Sequence, residues 1–222
     1  VKLEWKKNNI TKYTRCALIT SLAMLLFILL TAKELEAQET VEMYGENMLI
    51  AGVDLFNNIA FIIFTCVMLS AFSVSPYQNK TIYLMFSYPI KRRKIMAAQI
   101  LAVWSFNFLS LVLSKLFSYC VLLLTKTATA GSIPLGHYEF YLNILIGSAA
   151  IVSISFLSLF VGLRLKSSKA AIVTGVIIAC FTQGNIGSYT LSHNLPFYCS
   201  LLLLSFAAVF LSVYSVETKD VL

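Results

Sequence analysis

The chain has 222 residues, 59% hydrophobic and only 12% charged, with a formal net charge of +7 and a mean hydropathy of +0.81. A soluble domain carries about 25% charged residues, so an ordinary globular enzyme or binding module is excluded, and at roughly 20 apolar residues per span the length leaves room for about six membrane helices with no sizeable soluble domain. The basic excess is explained by cytoplasmic loops and anionic lipid, so membrane lipid is an expected partner and nucleic acid is not.

The predicted fold is all-α, a single integral membrane domain over residues 1–222 with six transmembrane helices. Residues 1–13 (VKLEWKKNNITKY) alternate basic and apolar positions and include Trp5 and Tyr13, the pattern of an amphipathic helix lying on the inner membrane face. The first span follows at 14–32; it has no small-residue cleavage site, so it reads as a retained helix and not as a signal peptide. A loop from Lys33 to Asn47 carries Glu34, Glu36, Glu39, Glu42 and Glu46. The second span covers 48–74, with Asp54, Asn57 and Asn58 near its start. A polar, basic island at 75–94 separates it from a third apolar run at 95–124, whose 30 positions would measure about 45 Å and must tilt or project from the bilayer. After a Gly- and Pro-containing loop (KTATAGSIPLGH), the fourth span runs over 138–163, the fifth over 170–186 and the sixth over 196–216.

On this topology Lys2, Lys6, Lys7, Lys12, Arg15, Lys80, Lys91, Arg92, Arg93, Lys94, Arg164, Lys166, Lys169 and Lys219 fall on one side, fourteen of the 17 basic residues. The positive-inside rule then puts both termini in the cytoplasm. The island becomes a cytoplasmic segment, and the glutamate-rich loop an external one.

The sequence has no GxxxxGK(S/T) phosphate cradle, no HExxH and no GxSxG, so no catalytic residue is assigned and the chain is not expected to be an enzyme itself. Cys16, Cys66, Cys120, Cys180 and Cys199 lie in or beside apolar runs without metal-ligand spacing, and His137 and His193 fall in or beside outer loops with no second ligand at metal spacing, so no metal site is assigned. Charged residues inside a span are candidates for function. Asp54, Asn57, Asn58 and Lys115 are therefore the candidate substrate path. Lys115 lies about 30 Å along the helix from Ile95, a depth that also suits a lysine snorkelling to the outer headgroups, and Asp54 falls at the same interface. Ala171, Gly175 and Ala179 at four-residue spacing, with Ser148, Ser153, Ser155 and Ser158, predict close helix packing, within the chain or against a second copy.

The island carries a motif. Tyr77-Gln-Asn-Lys-Thr-Ile82, followed by Phe86-Ser-Tyr-Pro-Ile-Lys-Arg-Arg-Lys-Ile95, resembles the loop between the second and third spans of ABC-2-type transporter permeases, where a pattern like EYENGTI…LLSYPISRKKI is common. Lys80 stands where that pattern has Gly, and Pro76 or Gln78 where it has an acid. The resemblance extends to the basic amphipathic start, the six spans and the overall length. It implies a cytoplasmic coupling helix that docks on a separate ATP-binding cassette subunit through Tyr77, Lys80, Thr81, Ile82, Phe86, Tyr88, Pro89, Lys91, Arg92 and Arg93. It further implies ATP and magnesium on that partner and no cofactor in this chain, a dimer with a second copy or a homologous permease, and a multi-pass place in the bacterial plasma membrane. Small permeases of this kind often export, or confer immunity to, antimicrobial or amphipathic peptides such as lantibiotics. A lipid or drug exporter of the same fold, a non-transporting sensor or assembly module, and an intramembrane enzyme centred on Asp54 or Lys115 remain the alternatives.

Overall fold

In the computed structural model, residues 5, 10–37, 48–78, 92–124, 138–186, 189–190 and 195–218 are described. The structure is that of a polytopic membrane protein, built almost wholly of helices. Four of them are long and apolar enough to cross a bilayer: Ile10–Thr31, Ile50–Val74, Lys94–Leu124 and Tyr138–Arg164. Two further apolar helices, Ser168–Gln183 and Cys199–Val213, are shorter.

The first helix, α1 (Ile10–Ala37), differs from its expected bounds at both ends. Residues 10–13, assigned above to an interfacial helix, are continuous with the span, and Lys33, Glu34 and Glu36, assigned to a loop, lie on the same helical backbone. Lys, Glu, Leu and Ala are strong helix formers, so once the span is set the helix runs on past its apolar part to a length of about 42 Å. Trp5 is helical too, and its indole N–H donates to the Ala102 carbonyl at 3.1 Å. The N-terminal segment is thus tied to another span at this point; the rest of residues 1–9 lie outside the described residues.

The bundle is organised around α2 (Met48–Leu69), whose apolar window, extended to Val74, is 67% buried against 11% for α1. Helix α1 accordingly sits at the periphery and turns Leu18, Ile19, Leu22, Leu26 and Leu30 outward, a surface suited to lipid. Helix α2 does not stop at Leu69. It passes through a π-helical turn, Ser70–Val74, and resumes as the short α3 (Ser75–Gln78), so four residues counted with the island continue the span. Helix α4 (Arg92–Leu124, 33 residues) returns beside it.

The fourth span is broken. Helix α5 (Tyr138–Ser155) and α6 (Leu157–Arg164) meet at Phe156, where two i→i+3 backbone bonds replace the regular ladder. The cause is local: the hydroxyls of Ser153, Ser155 and Ser158 donate back to the carbonyls of Ala149, Ile151 and Ser155, a contact that bends helices. Helix α6 ends with Ser167 N–H donating to the Gly162 carbonyl at 3.1 Å and Lys166 in the left-handed region at φ 47°, the geometry of a Schellman stop normally taken by glycine. Ser167 then caps α7 (Ser168–Gln183), accepting from the Ala170 N–H.

Helix α7 is shorter than its expected 170–186. Gly184 is extended, and β1 (Asn185–Ile186) pairs antiparallel with β2 (Tyr189–Thr190), a two-stranded element that an all-α expectation omits. Its 16 residues span about 24 Å. Helix α8 (Leu195–Thr218) closes the chain and packs on α4, α5 and α6.

Two apolar clusters hold the bundle. The larger joins Phe61, Cys66, Met68 and Phe72 of the α2 line to Val103 and Leu111 of α4, Ile151 and Leu159 of α5 and α6, and Ala171 and Ala179 of α7. The smaller joins Ile28, Val53, Tyr119, Leu122, Phe140 and Ile144 where α2 and α5 begin and α1 and α4 end. Close approach depends on the small residues singled out above. A Cβ on Gly175 would lie 2.5 Å from the Cys66 Sγ, and one on Gly162 2.7 Å from the Ala171 Cβ. The small-residue stripe therefore packs inside the chain, α7 against α2 and α6.

Candidate functional site

Asp54, Asn57 and Asn58 occupy i, i+3 and i+4 on α2 and so share one face of it. That face meets α4 at Ser114 and Lys115. The Lys115 Nζ lies 2.7 Å from the Asp54 Oδ1, and the lysine is 2% exposed. One turn along, the Ser114 hydroxyl donates to the Asn57 Oδ1 at 2.7 Å, while the Asn57 amide donates to the Val53 carbonyl at 2.9 Å. The Ser118 hydroxyl donates to the Ser114 carbonyl. Three of the four candidates for a substrate path, Asp54, Asn57 and Lys115, thus gather in one polar cluster between α2 and α4, and Asn58 lies one turn from Asp54 on α2.

The snorkelling expected of Lys115 does not occur. A lysine nine residues from the end of α4, about 14 Å, could carry its ammonium outward, but the carboxylate on α2 neutralises it within hydrogen-bond distance. Contact in lipid-facing bundles comes from packing and interhelical polar contacts, and this ion pair supplies one between α2 and α4. Asp54 differs from its partner in access: its side chain is 40% exposed against 3% for that of Lys115. The pair is electrically neutral and opens on the carboxylate side.

Sequence reasoning missed the α4 half of this cluster apart from Lys115. The signal was present as a stripe of polar residues, Gln99, Asn107, Ser114 and Ser118, all buried and spaced by three or four residues or multiples of that turn. Asn107 donates to the Val103 carbonyl at 2.8 Å and contacts the Met68 Sδ at 3.4 Å. Elsewhere, α2 and α7 enclose an open apolar groove of about 300 Å³ lined by Ile59, Ile63, Val176, Ala179, Cys180 and Gln183.

The second candidate region is the island. Tyr77 lies on α3, and Arg92 and Arg93 form the first turn of α4. Lys80, Thr81, Ile82, Phe86, Tyr88, Pro89 and Lys91 lie outside the described residues. What is described is how the island is attached. The Ser70 hydroxyl donates to the Ser168 carbonyl, and the Ser168 N–H donates to the Gln78 Oε1, each at 3.2 Å. The first N–H groups of a helix lack internal acceptors, and here Gln78 supplies one to α7. The start of the π turn, at Ser70, and the end of α3, at Gln78, are therefore both pinned to the start of α7. The basic residues of the α6–α7 turn, Arg164, Lys166 and Lys169, are exposed beside this joint.

Among the described residues no group of three or more His, Cys, Asp or Glu side chains comes together to hold a metal ion. No family model matches the chain, and no solved structure matches it. Over nearly its whole length the chain is similar to the uncharacterized protein YcbO of Bacillus subtilis (strain 168), with 24% identity over 233 residues that cover 99% of this chain and 97% of YcbO.

Proposed function

We propose that this chain is the permease subunit of an ATP-binding cassette exporter of the ABC-2 type. The single observation that carries the reading is the motif from Tyr77 to Ile95, placed between two long membrane helices in a chain without a phosphate-binding loop of its own. In this reading the chain spans the bacterial plasma membrane six times, with α7 and α8 as the fifth and sixth spans and both termini in the cytoplasm. A separate subunit binds ATP and magnesium, and the cytoplasmic segment 75–94 docks on it. Two permeases, identical or homologous, form the translocation unit, and an amphipathic or antimicrobial peptide is the cargo.

The attachment of the island supports this reading physically. A docking segment transmits motion only if it is rigidly joined to the spans, and the bonds of Ser70 and Gln78 to Ser168 join it to two of them, α2 and α7. The polar cluster around Asp54 and Lys115 lies near the other end of α2, on the path that such motion would open.

The test is co-purification with a P-loop ATPase encoded beside the gene. The expected result is a stable complex that Tyr88→Ala, Arg92→Ala and Arg93→Ala together disrupt while the permease remains folded. An unchanged complex in that variant overturns the docking assignment.

A further inference from the structure

We propose that the turn between α6 and α7 is a binding site for the phosphate headgroup of an anionic phospholipid, held by Arg164, Lys166 and Lys169 with Leu165 as the apolar contact beside it.

The turn joins two helices that pack at close range. Gly162 and Ala171 meet across the hairpin, so near that a Cβ on the glycine would lie 2.7 Å from that of the alanine. Arg164 and Lys169 each stand two residues nearer the turn than this contact, one on each helix, and Lys166 lies between them in the connection. Closely packed helices have axes about 8 Å apart, so three long cationic side chains start within reach of a single headgroup. All three are exposed. None of them is ion-paired among the described residues. The two carboxylates whose side chains are described lie elsewhere, Asp54 against Lys115 and Glu139 in the first turn of α5. Three unneutralised cations in six residues attract an anion.

Leu165 points to the source of that anion. It is 62% exposed between Arg164 and Lys166. A dissolved phosphate gains nothing from an exposed leucine, whereas a lipid carries an acyl chain beside its headgroup. Arg164 is the last residue of an apolar stretch long enough to cross the bilayer, and beyond the turn α7 leaves Val173, Val176 and Ile177 exposed. Basic side chains bordering an exposed apolar surface are the pattern of a membrane interface. Lys166 itself has a φ of 47°, where glycine is the usual occupant; what lysine adds there is a cation. Backbone donors contribute less, since the Ser168 N–H is taken by Gln78 and the Ala170 N–H by the Ser167 hydroxyl.

The site goes beyond the transport reading and does not rest on it. The experiment titrates the full chain in detergent micelles with dioleoyl phosphatidylglycerol and, in parallel, dioleoyl phosphatidylcholine, and resolves the first bound lipid by native mass spectrometry. The expected result is a preference of about tenfold or more for phosphatidylglycerol, at roughly fivefold per cation. Lys166→Gly should lower the preference about fivefold in a chain that folds at least as stably, because glycine suits the backbone there. Arg164→Gln/Lys166→Gly/Lys169→Gln should abolish it. Lys12→Gln/Arg15→Gln, which removes two exposed cations from α1, should leave it unchanged. Equal affinity of the two lipids for the unaltered chain overturns the site, as does a preference that survives Lys166→Gly. A loss in Lys12→Gln/Arg15→Gln as large as in the triple variant overturns it too, in favour of diffuse attraction to the whole basic surface. Competition by glycerol 3-phosphate at equal concentration replaces the lipid with a soluble phosphate. A triple variant that keeps its lipid preference but no longer holds an ATPase makes the turn a protein contact instead.

Discussion

Replacing Asp54 by Asn should destabilise the chain far more than replacing Asp54 and Lys115 together. In the single variant Lys115, 2% exposed and with its Nζ 2.7 Å from the Asp54 carboxylate in the native chain, loses its counter-ion. Breaking a buried pair in this way costs about 3–5 kcal/mol. Because the Asp54 side chain is 40% exposed, water or headgroups screen part of the loss, and the low end applies, about 3 kcal/mol. That corresponds to roughly a hundredfold in the folding equilibrium. Adding Lys115→Met removes the stranded charge and refills much the same volume, so the double variant should return to within about 1 kcal/mol of the native chain. The remaining contact on that face, Ser114 to Asn57, is untouched by either change. The assay is reversible unfolding in mixed micelles of a mild detergent and dodecyl sulfate, with a double-mutant cycle closed by Lys115→Met alone. If Asp54→Asn proves as stable as the native chain, or if the double variant is no more stable than Asp54→Asn, the pair is not the internal counter-ion arrangement described here.

Three other substitutions probe the rest of the frame. Gly175→Ala should destabilise the bundle by about 1–3 kcal/mol in the same unfolding assay, because its Cβ would meet the Cys66 Sγ at 2.5 Å and the Cys66 Cβ at 2.6 Å; the helix-propensity gain of about 1 kcal/mol offsets only part of this. Lys166→Gly should raise stability by about 1 kcal/mol, since φ 47° costs a lysine what it does not cost a glycine; an unchanged or lower midpoint would count against the strained stop at the end of α6. Trp5→Phe keeps an aromatic ring but deletes the donor to the Ala102 carbonyl. It should cost about 1 kcal/mol, and no change would show that the N-terminal segment is held by something other than this bond.

The long spans were readable because an apolar run of about 20 residues admits few other interpretations. Their ends were not. Lys33, Glu34 and Glu36 read as loop by charge, yet they continue α1, because intrinsic helix propensity prevails once lipid no longer selects against charge. Helix α7 ends at Gln183, three residues earlier than hydropathy suggested, and Gly184 follows as an extended residue leading into a strand pair that its neighbours' composition did not announce. The π turn lies in Ser-Ala-Phe-Ser-Val, without a proline or glycine to mark it. The polar face of α2 could be read from the spacing of Asp54, Asn57 and Asn58. The partner could not, since Lys115 lies on another helix and only the rotation of α4 about its axis decides whether a lysine at that depth turns inward to Asp54 or outward to the headgroups.

The π turn at Ser70–Val74 also sets a phase. A surplus residue in one helical turn advances everything downstream by about 100° around the axis. Gln78 reaches Ser168 on α7 only because Ser70, Ala71, Phe72, Ser73 and Val74 are wound one residue too many. Deleting Ala71, whose side chain faces outward, would let α2 run on as a regular helix, leave the apolar match upstream of Leu69 untouched, and point the start of the basic segment away from α7. The length of this stretch, more than its chemistry, therefore fixes the direction in which the island leaves the membrane, and an alignment of related chains through residues 70–74 should tolerate substitutions there but not a gap.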